Sequence, residues 1–221
     1  MPIEDEKIKE AYNCLDLARK CCFDFYKITK KRVSIRGIED RFGEYLIANR
    51  LVTNGFKIKK IGGRGVDIIT DSNIKIEVKT SRLTKRFNFK GAKKGYSWVV
   101  KNKQWANKEY DYLACVLADK EEDNILVFTY EESIRNFSHC SFVRSDTKTK
   151  EENCLCLDLT EGDDKNRFQN WENNLRIARE KIEYQGEPTT FELDFNKNPD
   201  KYFKEFSFDR FLSFLKNVKI E

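Results

Sequence analysis

The sequence predicts a mixed α/β (α+β) fold, with a central β-sheet flanked by helices and helical additions at both ends. Apolar residues recur at helical spacing over residues 4–30 and 37–56. From residue 56 the period changes to two, and short β-branched runs alternate with glycines and turn residues. Helical spacing returns over residues 203–218. Helices before and after a block of strands are typical of a sheet that is covered by helices.

Two helices and a strand make up the first part of the chain. Apolar residues at spacings of three and four predict a helix over residues 4–30. The stretch "GIEDRFGEYLIANRLVTNGF", residues 37–56, predicts a second helix that ends at Asn54-Gly55 as at a C-cap. Residues 56–61 then predict a strand, which a glycine-rich connection follows.

The middle of the chain supplies most of the predicted sheet. Two β-branched runs, residues 66–70 and 74–80, flank the turn-like Asp71-Ser72-Asn73 and predict a hairpin. The other elements predicted in this part are a basic loop over 82–96, a strand or the start of a helix over 96–102, a strand pair over 110–118 and 125–130, and a short helix over 131–137.

The C-terminal third changes character and contains fewer clear strands. Asp163 or Asp164 is expected to cap a helix that runs to about residue 184. The remaining elements predicted here are a strand over 154–160, a weak strand over 191–195 and a helix over 203–218.

Length and composition limit the class of protein. The 221 residues suffice for a sizeable core, and no apolar run approaches the about twenty residues of a membrane helix. Since the N-terminus also has no signal-peptide pattern, we expect a cytoplasmic protein without a membrane partner. Several of the seven cysteines lie in apolar runs, so we expect reduced, buried thiols. The alternative, although its spacings match zinc motifs poorly, is a zinc site formed by His139, Cys140, Cys154 and Cys156.

Positive charge is concentrated in one stretch of the chain. The net charge is only +5, but residues 75–108 contain 11 Lys or Arg and one Asp or Glu. Phenylalanine, tyrosine and tryptophan residues lie between these charges. Basic residues interleaved with aromatic ones indicate a polyanionic partner, and they fit a nucleic acid best.

Three charged residues, Asp67, Glu77 and Lys79, stand among Val and Ile in the predicted hairpin. If the hairpin has a three-residue loop, Thr70 pairs with Ile74 and Asp67 lies directly opposite Glu77. Lys79 is two residues from Glu77 on the same strand, so both side chains point to one face. The three charges are therefore expected to converge on one spot. The alternative is a half-exposed hairpin with ordinary surface charges.

A divalent cation would explain why two carboxylates face each other at this spot. Like charges on facing residues repel, and a cation between them removes the conflict. Mg²⁺ is held by one or two carboxylates together with waters and phosphate oxygens. A lysine beside it can hold a water for attack on phosphorus and interact with the phosphate charge in the transition state. We therefore expect Mg²⁺, for which Mn²⁺ can substitute.

These residues resemble the motif of the PD-(D/E)XK nuclease superfamily, whose members share the restriction-endonuclease-like fold. The motif is an acid at the end of one strand and an acid-x-lysine on the next, and here it reads "GVD" and "EVK". Val66 takes the variable proline position. The resemblance covers about residues 37–137. It implies a nuclease core over 37–140, a helical extension over 1–36, and a C-terminal lobe over 141–221 for DNA recognition or dimerisation.

The resemblance implies Mg²⁺-dependent hydrolysis of DNA phosphodiester bonds. Asp67, Glu77 and the Val78 carbonyl would ligate the metal, and Lys79 would position the water. Glu44 would be a second-metal or supporting acid, with an exposed helix glutamate as the alternative. The residues expected to contact DNA are basic or polar ones in and near the basic stretch: Arg64, Arg82, Lys85, Arg86, Lys90, Lys93, Lys94, Lys101, Lys103 and Gln104.

Three functions fit this pattern. The first is a type II restriction endonuclease, which would cut double-stranded DNA at a specific site as a homodimer, and the residues outside the core suit it. The second is a structure-specific nuclease, such as a Holliday junction resolvase or a repair nuclease. The third is a DNA-binding protein that keeps the fold but does not cut, since a fold alone does not fix a function.

Overall fold

The structure, a computed structural model, describes residues 2–29, 36–63, 65–82, 84–85, 94–118, 125–143, 150–160 and 189–218. Its helices are α1 (Asp5–Thr29), α2 (Arg36–Thr53), α3 (Asn102–Ala106), α4 (Tyr130–Asn136), α5 (Thr190–Lys197), α6 (Pro199–Glu205) and α7 (Phe208–Val218). Its strands are β1 (Ile58–Ile61), β2 (Ile68–Thr70), β3 (Lys75–Ser81), β4 (Thr84–Lys85), β5 (Lys94–Val100), β6 (Tyr112–Leu117), β7 (Ile125–Thr129), β8 (Ser138–Val143) and β9 (Lys150–Thr160).

Five strands form the main sheet, in the order β1-β2-β3-β6-β7. Strands β3 and β6 run parallel, and the other neighbours in this sheet run antiparallel. A second, antiparallel sheet has the order β4-β5-β9-β8. The protein is therefore a mixed α/β structure with a mixed five-stranded sheet flanked by helices, and the predicted fold class is confirmed at this level.

Both faces of the main sheet are buried, and alternation along β3 decides which side chain meets which face. Ile76 and Val78 lie in the core that α1, α2 and α7 form on one face. Leu113 of β6 lies in the core between the opposite face and the second sheet. Glu77 pairs with Leu113 and therefore shares its face, as does Lys79 two residues further on. The side chains of Glu77 and Lys79 therefore lie on the face of the main sheet that packs against the second sheet, and not on the face that α1, α2 and α7 cover.

The described C-terminal residues pack directly on the main sheet. The Val127 amide donates to the Phe206 carbonyl over 2.8 Å, and Ser207 forms a bridge with Leu126, which extends the edge at β7. Helix α7 then adds Phe211 and other apolar residues to the core around α2. Strand β9 pairs with β5 in the second sheet. Segments far apart in the chain thus build one structure around β3.

Most local predictions are confirmed. Both N-terminal helices form, and Gly55 ends the second with φ of 82° and a hydrogen bond from its amide to the Val52 carbonyl. The hairpin, the strand pair β6–β7 and the short helix α4 also form where they were predicted. Residues 96–102, which fitted either a strand or a helix, contain the end of β5 and the start of α3. The basic loop predicted over residues 82–96 contains β4 and the start of β5, so that prediction is wrong in part.

Two C-terminal predictions differ from the structure. Residues 191–195, predicted as a weak strand, belong to helix α5, so this prediction is wrong. The Thr189 side chain accepts a hydrogen bond from the Glu192 amide over 3.1 Å and caps the helix, which outweighs the strand-like alternation. The helix predicted over 203–218 is divided into α6 and α7. The helix predicted from Asp163 or Asp164 lies outside the described residues.

The cysteines follow the expectation only in part. Cys115 is a buried free thiol and Cys154 is also buried, whereas Cys14 and Cys21 are exposed and Cys156 is disulfide-bonded. The antiparallel pairing of β8 with β9 brings cysteines of separate segments onto neighbouring strands, which local sequence does not reveal. The side chain of Cys140 lies outside the described residues. None of the helices within the described ranges combines the length and hydropathy needed to cross a membrane.

Candidate active site

The β2–β3 hairpin has the predicted register. The Thr70 amide donates to the Ile74 carbonyl over 3.0 Å, and the next pairs along the ladder keep this register. The loop between them has three residues, and Asn73 at its end adopts φ of 62°, as a loop of this length requires. Continued by one residue beyond the last ladder pair, the register places Asp67 opposite Glu77. The geometric condition for an acid pair is therefore met.

Glu77 is the most enclosed of the three charged residues, with a side chain only 3% exposed. Its Oε1 accepts hydrogen bonds from Lys79 Nζ and from Gln104 Nε2. Gln104 reaches it from the first turn of α3, where the Gln104 side chain also accepts from the Lys101 amide. Burial raises the pKa of Glu77, the charge of Lys79 opposes this rise, and the charge of Asp67 adds to it.

Asp67 meets Glu77 from the connection that precedes β2. Its Oδ2 accepts a hydrogen bond from the Val78 amide over 2.8 Å, which fixes the carboxylate against the acid-x-lysine segment. Burial is the largest influence on the pKa of Asp67 and raises it above the ordinary value. The hydrogen bond from Val78 and the positive charges of Lys79 and Arg41 oppose the rise. Asp67 and Glu77 are thus two interacting carboxylates that the fold makes harder to ionise.

Each carboxylate keeps one oxygen that accepts no hydrogen bond from the described part of the chain, namely Asp67 Oδ1 and Glu77 Oε2. Oxygens of this kind on facing residues suit Mg²⁺, which takes one or two carboxylates and completes its shell with waters and phosphate oxygens. In the described ranges, no group of three or more His, Cys, Asp or Glu side chains is arranged to hold a metal ion. Asp67 Oδ1 and Glu77 Oε2 are the carboxylate oxygens here that could ligate a cation.

Glu44 lies on α2, buried beside the glycine-rich connection, and is not an exposed helix glutamate. Arg41 Nη1 donates to Glu44 Oε2 over 2.6 Å. Gly62 has φ of 69°, and a Cβ there would overlap the Arg41 guanidinium, so glycine lets the connection close over this ion pair. Burial raises the pKa of Glu44, the Arg41 hydrogen bond opposes the rise, and the charge of Asp67 adds to it. Glu44 is therefore electrostatically part of the acid group.

A close approach of α2 to β3 sets the position of Glu44. A Cβ added to Gly43 would overlap Thr80 Oγ1 and would lie 3.3 Å from Thr80 Cβ and 3.4 Å from Val78 Cγ1. Only glycine allows the helix to pack this closely on the strand without a shift of its neighbours. Since Glu44 follows directly in the chain, this contact fixes its distance from the strand that carries Glu77.

The residues predicted to contact DNA are described only in part. Four of them lie outside the described residues: Arg64, Arg86, Lys90 and Lys93. For Lys85 and Lys94 only the backbone is described, in β4 and β5. Arg82, Lys101 and Lys103 are exposed, as a DNA contact requires, and Arg82 Nη1 lies 3.6 Å from Glu39 Oε1. Gln104 lies at the acid pair through its bond to Glu77.

Two cations beside the acid pair, Arg41 and Lys60, are not among the candidates that the sequence supplied. Lys60 Nζ donates to the Val66 carbonyl over 3.1 Å, next to Asp67, and its charge lowers the pKa of that acid. The spacing of three between Arg41 and Glu44 on a predicted helix is a signal that could have identified the first cation. Lys60 has no such signal, because its strand meets Asp67 only through the tertiary fold.

No protein-family model matches the chain, and no curated protein sequence matches it. The chemistry of Asp67, Glu77 and Lys79 is therefore the basis for a functional assignment. A buried carboxylate facing a half-buried one destabilises a fold, and groups with perturbed pKa values beside a specific charge partner are concentrated at functional sites. This arrangement is more typical of a reaction centre than of a structural ion pair.

Proposed function

We propose that this chain is a divalent-metal-dependent endonuclease that hydrolyses phosphodiester bonds in double-stranded DNA. The observation that carries the proposal is the acid pair: Asp67 opposite Glu77, with Lys79 bonded to Glu77. In this proposal the chain is a PD-(D/E)XK nuclease with a restriction-endonuclease-like core, and it acts as a type II restriction endonuclease.

Asp67 Oδ1 and Glu77 Oε2, together with the Val78 carbonyl, would hold Mg²⁺ or Mn²⁺. The bound ion would neutralise charge on a phosphate oxygen and lower the pKa of a bound water. The raised pKa values of Asp67 and Glu77 support this role, because burial makes both acids harder to ionise and a bound cation offsets that cost. Metal binding is therefore expected to release protons.

Lys79 would hold the attacking water. Its Nζ is bonded to Glu77, and 23% of its side chain is exposed, so it contacts both the acid pair and the solvent side. An ammonium group donates hydrogen bonds to water and to phosphate oxygens, and its charge favours the transition state of phosphoryl transfer. The Gln104 amide binds the same oxygen of Glu77 and would orient that carboxylate, which makes Gln104 a positioning residue.

The order of elements around the site supports the proposed fold family. The core that the resemblance implies runs helix, three strands, helix, strand. The chain follows this order with α2, then β1, β2 and β3, then α3 and β6, and it has β4 and β5 inserted before α3. The parallel pairing of β3 with β6 requires the crossover that these inserted elements and α3 provide. Double-stranded DNA would enter along the basic residues after β3, of which Arg82, Lys101 and Lys103 are exposed.

Digestion of a supercoiled plasmid in the presence of Mg²⁺ tests this function. We expect discrete linear fragments with the wild-type chain. Lys79→Ala is expected to slow cleavage by about 10²–10³-fold, as the loss of one transition-state donor does, and to leave DNA binding measured by fluorescence anisotropy unchanged. Lys204→Ala, at an exposed lysine on α6 outside the basic stretch, is the matched control and should cut at the wild-type rate.

Other outcomes assign other functions. Cleavage confined to branched substrates would indicate a structure-specific nuclease, and DNA retained without products in either Mg²⁺ or Mn²⁺ would indicate a non-cleaving DNA-binding protein. A Lys79→Ala variant that cuts as fast as the wild type would show that Lys79 takes no part in cleavage.

A further inference from the structure

The second half of α1 carries an apolar stripe that the described residues leave uncovered. Three of the four large hydrophobic side chains exposed in the described ranges lie on it: Leu17 at 63%, Phe25 at 44% and Ile28 at 82%. Cys14 and Cys21, on the same helix, are also exposed. Apolar side chains grouped in this way on the exposed side of a helix mark an interaction surface more often than single exposed ones do.

The spacing of the stripe makes it complementary to a reversed copy of itself. Cys14, Leu17, Cys21, Phe25 and Ile28 are separated by 3, 4, 4 and 3 positions, which at 3.6 residues per turn places them within a sector about 80° wide. The series reads the same in both directions from Cys21. In an antiparallel pair, Leu17 would therefore lie opposite Phe25 of the second copy, Cys14 opposite Ile28, and Cys21 opposite Cys21.

The charges on one flank of the stripe fit the same arrangement. Asp16, Lys20, Asp24 and Lys27 follow one another as acid, base, acid, base, and they form the pairs Lys20–Asp16 at 2.6 Å and Lys27–Asp24 at 3.3 Å within the helix. In an antiparallel two-fold pair, this flank of one copy lies against the same flank of the second copy, which runs in the opposite direction. Lys27 then approaches Asp16 of the second copy, and Lys20 approaches Asp24. A parallel pair places the flank against the opposite one and loses these contacts.

We propose that α1 is a dimerisation surface, through which two copies of this chain form an antiparallel α1–α1 contact with its two-fold axis at Cys21. One helix pair buries less than the about 1,200–2,000 Å² of a stable interface, so we expect a dissociation constant in the micromolar range. The contact involves neither DNA nor a metal ion. It can therefore be tested, and can fail, separately from the proposed nuclease activity.

Sedimentation equilibrium at increasing protein concentration tests the surface. We expect a monomer–dimer equilibrium for the full chain, and a dissociation constant at least about tenfold higher for Leu17→Glu, which places a charge against Phe25 of the second copy. Ile28→Glu, at the most exposed position of the stripe, is a second variant with the same expected effect. Phe214→Glu changes an exposed apolar residue on α7 and is the matched control.

Two results of this measurement would overturn the proposal. One is a wild-type chain that stays monomeric at every concentration up to the millimolar range. The other is an equal change in the dissociation constant for Leu17→Glu and Phe214→Glu, with circular dichroism showing that both variants keep their helices.

Disulfide cross-linking tests the antiparallel direction. In a Cys14→Ser/Cys22→Ser chain, Cys21 lies at the two-fold axis and should link two copies under mild oxidation. In a Cys21→Ser/Cys22→Ser chain, Cys14 faces Ile28 of the second copy and should not. Equal linking through Cys14 and Cys21 would indicate a parallel pair. No linking through Cys21 would mean that the two-fold axis does not lie at this residue. Either result contradicts the proposal.

Discussion

At the scale of single residues, Asp67 and Glu77 are harder to ionise in the folded chain than in water, because burial raises the pKa of each. The position of these two carboxylates does not stabilise the fold, because like charges on facing residues repel. Lys79, bonded to Glu77, offsets only part of the effect. The proposed Mg²⁺ would offset the remainder.

The raised pKa of Asp67, which burial causes, predicts how stability changes with pH. A carboxyl whose folded pKa is raised binds more protons in the folded chain than in the unfolded one, so the free energy of unfolding falls as pH rises from the ordinary value through the raised one. Asp67→Asn is therefore expected to stabilise the metal-free chain at pH 7 by a few tenths to about 1 kcal/mol, with a smaller effect near pH 4.

Urea denaturation at both pH values measures this difference. Asp71→Asn, an exposed aspartate in the same hairpin, is the control and should leave stability unchanged at either pH. A loss of stability in Asp67→Asn at pH 7 would mean that the hydrogen bond from Val78 and the nearby positive charges favour the Asp67 carboxylate by more than its burial disfavours it.

At the scale of elements, the contact of α2 with β3 determines where Glu44 and Glu77 lie relative to each other. Gly43→Ala would force Thr80 or the helix to shift and is expected to lower the free energy of unfolding by about 1–3 kcal/mol. Gly37→Ala in the same helix has nothing within 4 Å of the added Cβ and is expected to be neutral or to stabilise by up to about 1 kcal/mol. Chemical denaturation of both variants checks this; equal effects would mean that α2 does not depend on the close approach.

The elements that could be predicted from the sequence are the ones that local chemistry determines. The three-residue loop after Thr70 fixed the hairpin register and with it the position of Asp67 opposite Glu77. The parallel pairing of β3 with β6 and the pairing of β5 with β9 join segments far apart in the chain, and no local pattern encodes them. Helix α5 was missed because alternation outweighed the cap signal of Thr189 and Glu192, which was present in the sequence.

Contacts between distant elements also explain which parts of the site were missed. The hydrogen bond from Gln104 to Glu77 joins α3 to β3, and the approach of Lys60 to Asp67 joins β1 to the connection before β2. Spacing along the chain carries no information on such pairs. The acid pair and Lys79 could be predicted from the sequence because all three residues lie on one hairpin.

At the scale of the whole molecule, the positive charge of residues 75–108 is expected to govern DNA affinity. Binding that releases counterions weakens with salt, and the slope of log affinity against log salt changes by about 0.9 for each phosphate contact. Lys103→Ala is expected to reduce the slope by about that amount, whereas Lys204→Ala, an exposed lysine on α6, should not change it. Fluorescence anisotropy with a DNA duplex from low to moderate salt measures both. A flat salt response of the wild-type chain would exclude the basic stretch as the DNA surface.

Calorimetric titration of Mn²⁺ into the DNA-free chain tests most directly whether Asp67 and Glu77 share a cation. We expect saturable binding by the wild-type chain, with protons released because both pKa values are raised in the free protein. Glu77→Gln should lose this binding, and Glu131→Gln, at an exposed position on α4, should retain it. Identical titrations of the wild type and Glu77→Gln would contradict the assignment of the acid pair as a metal site.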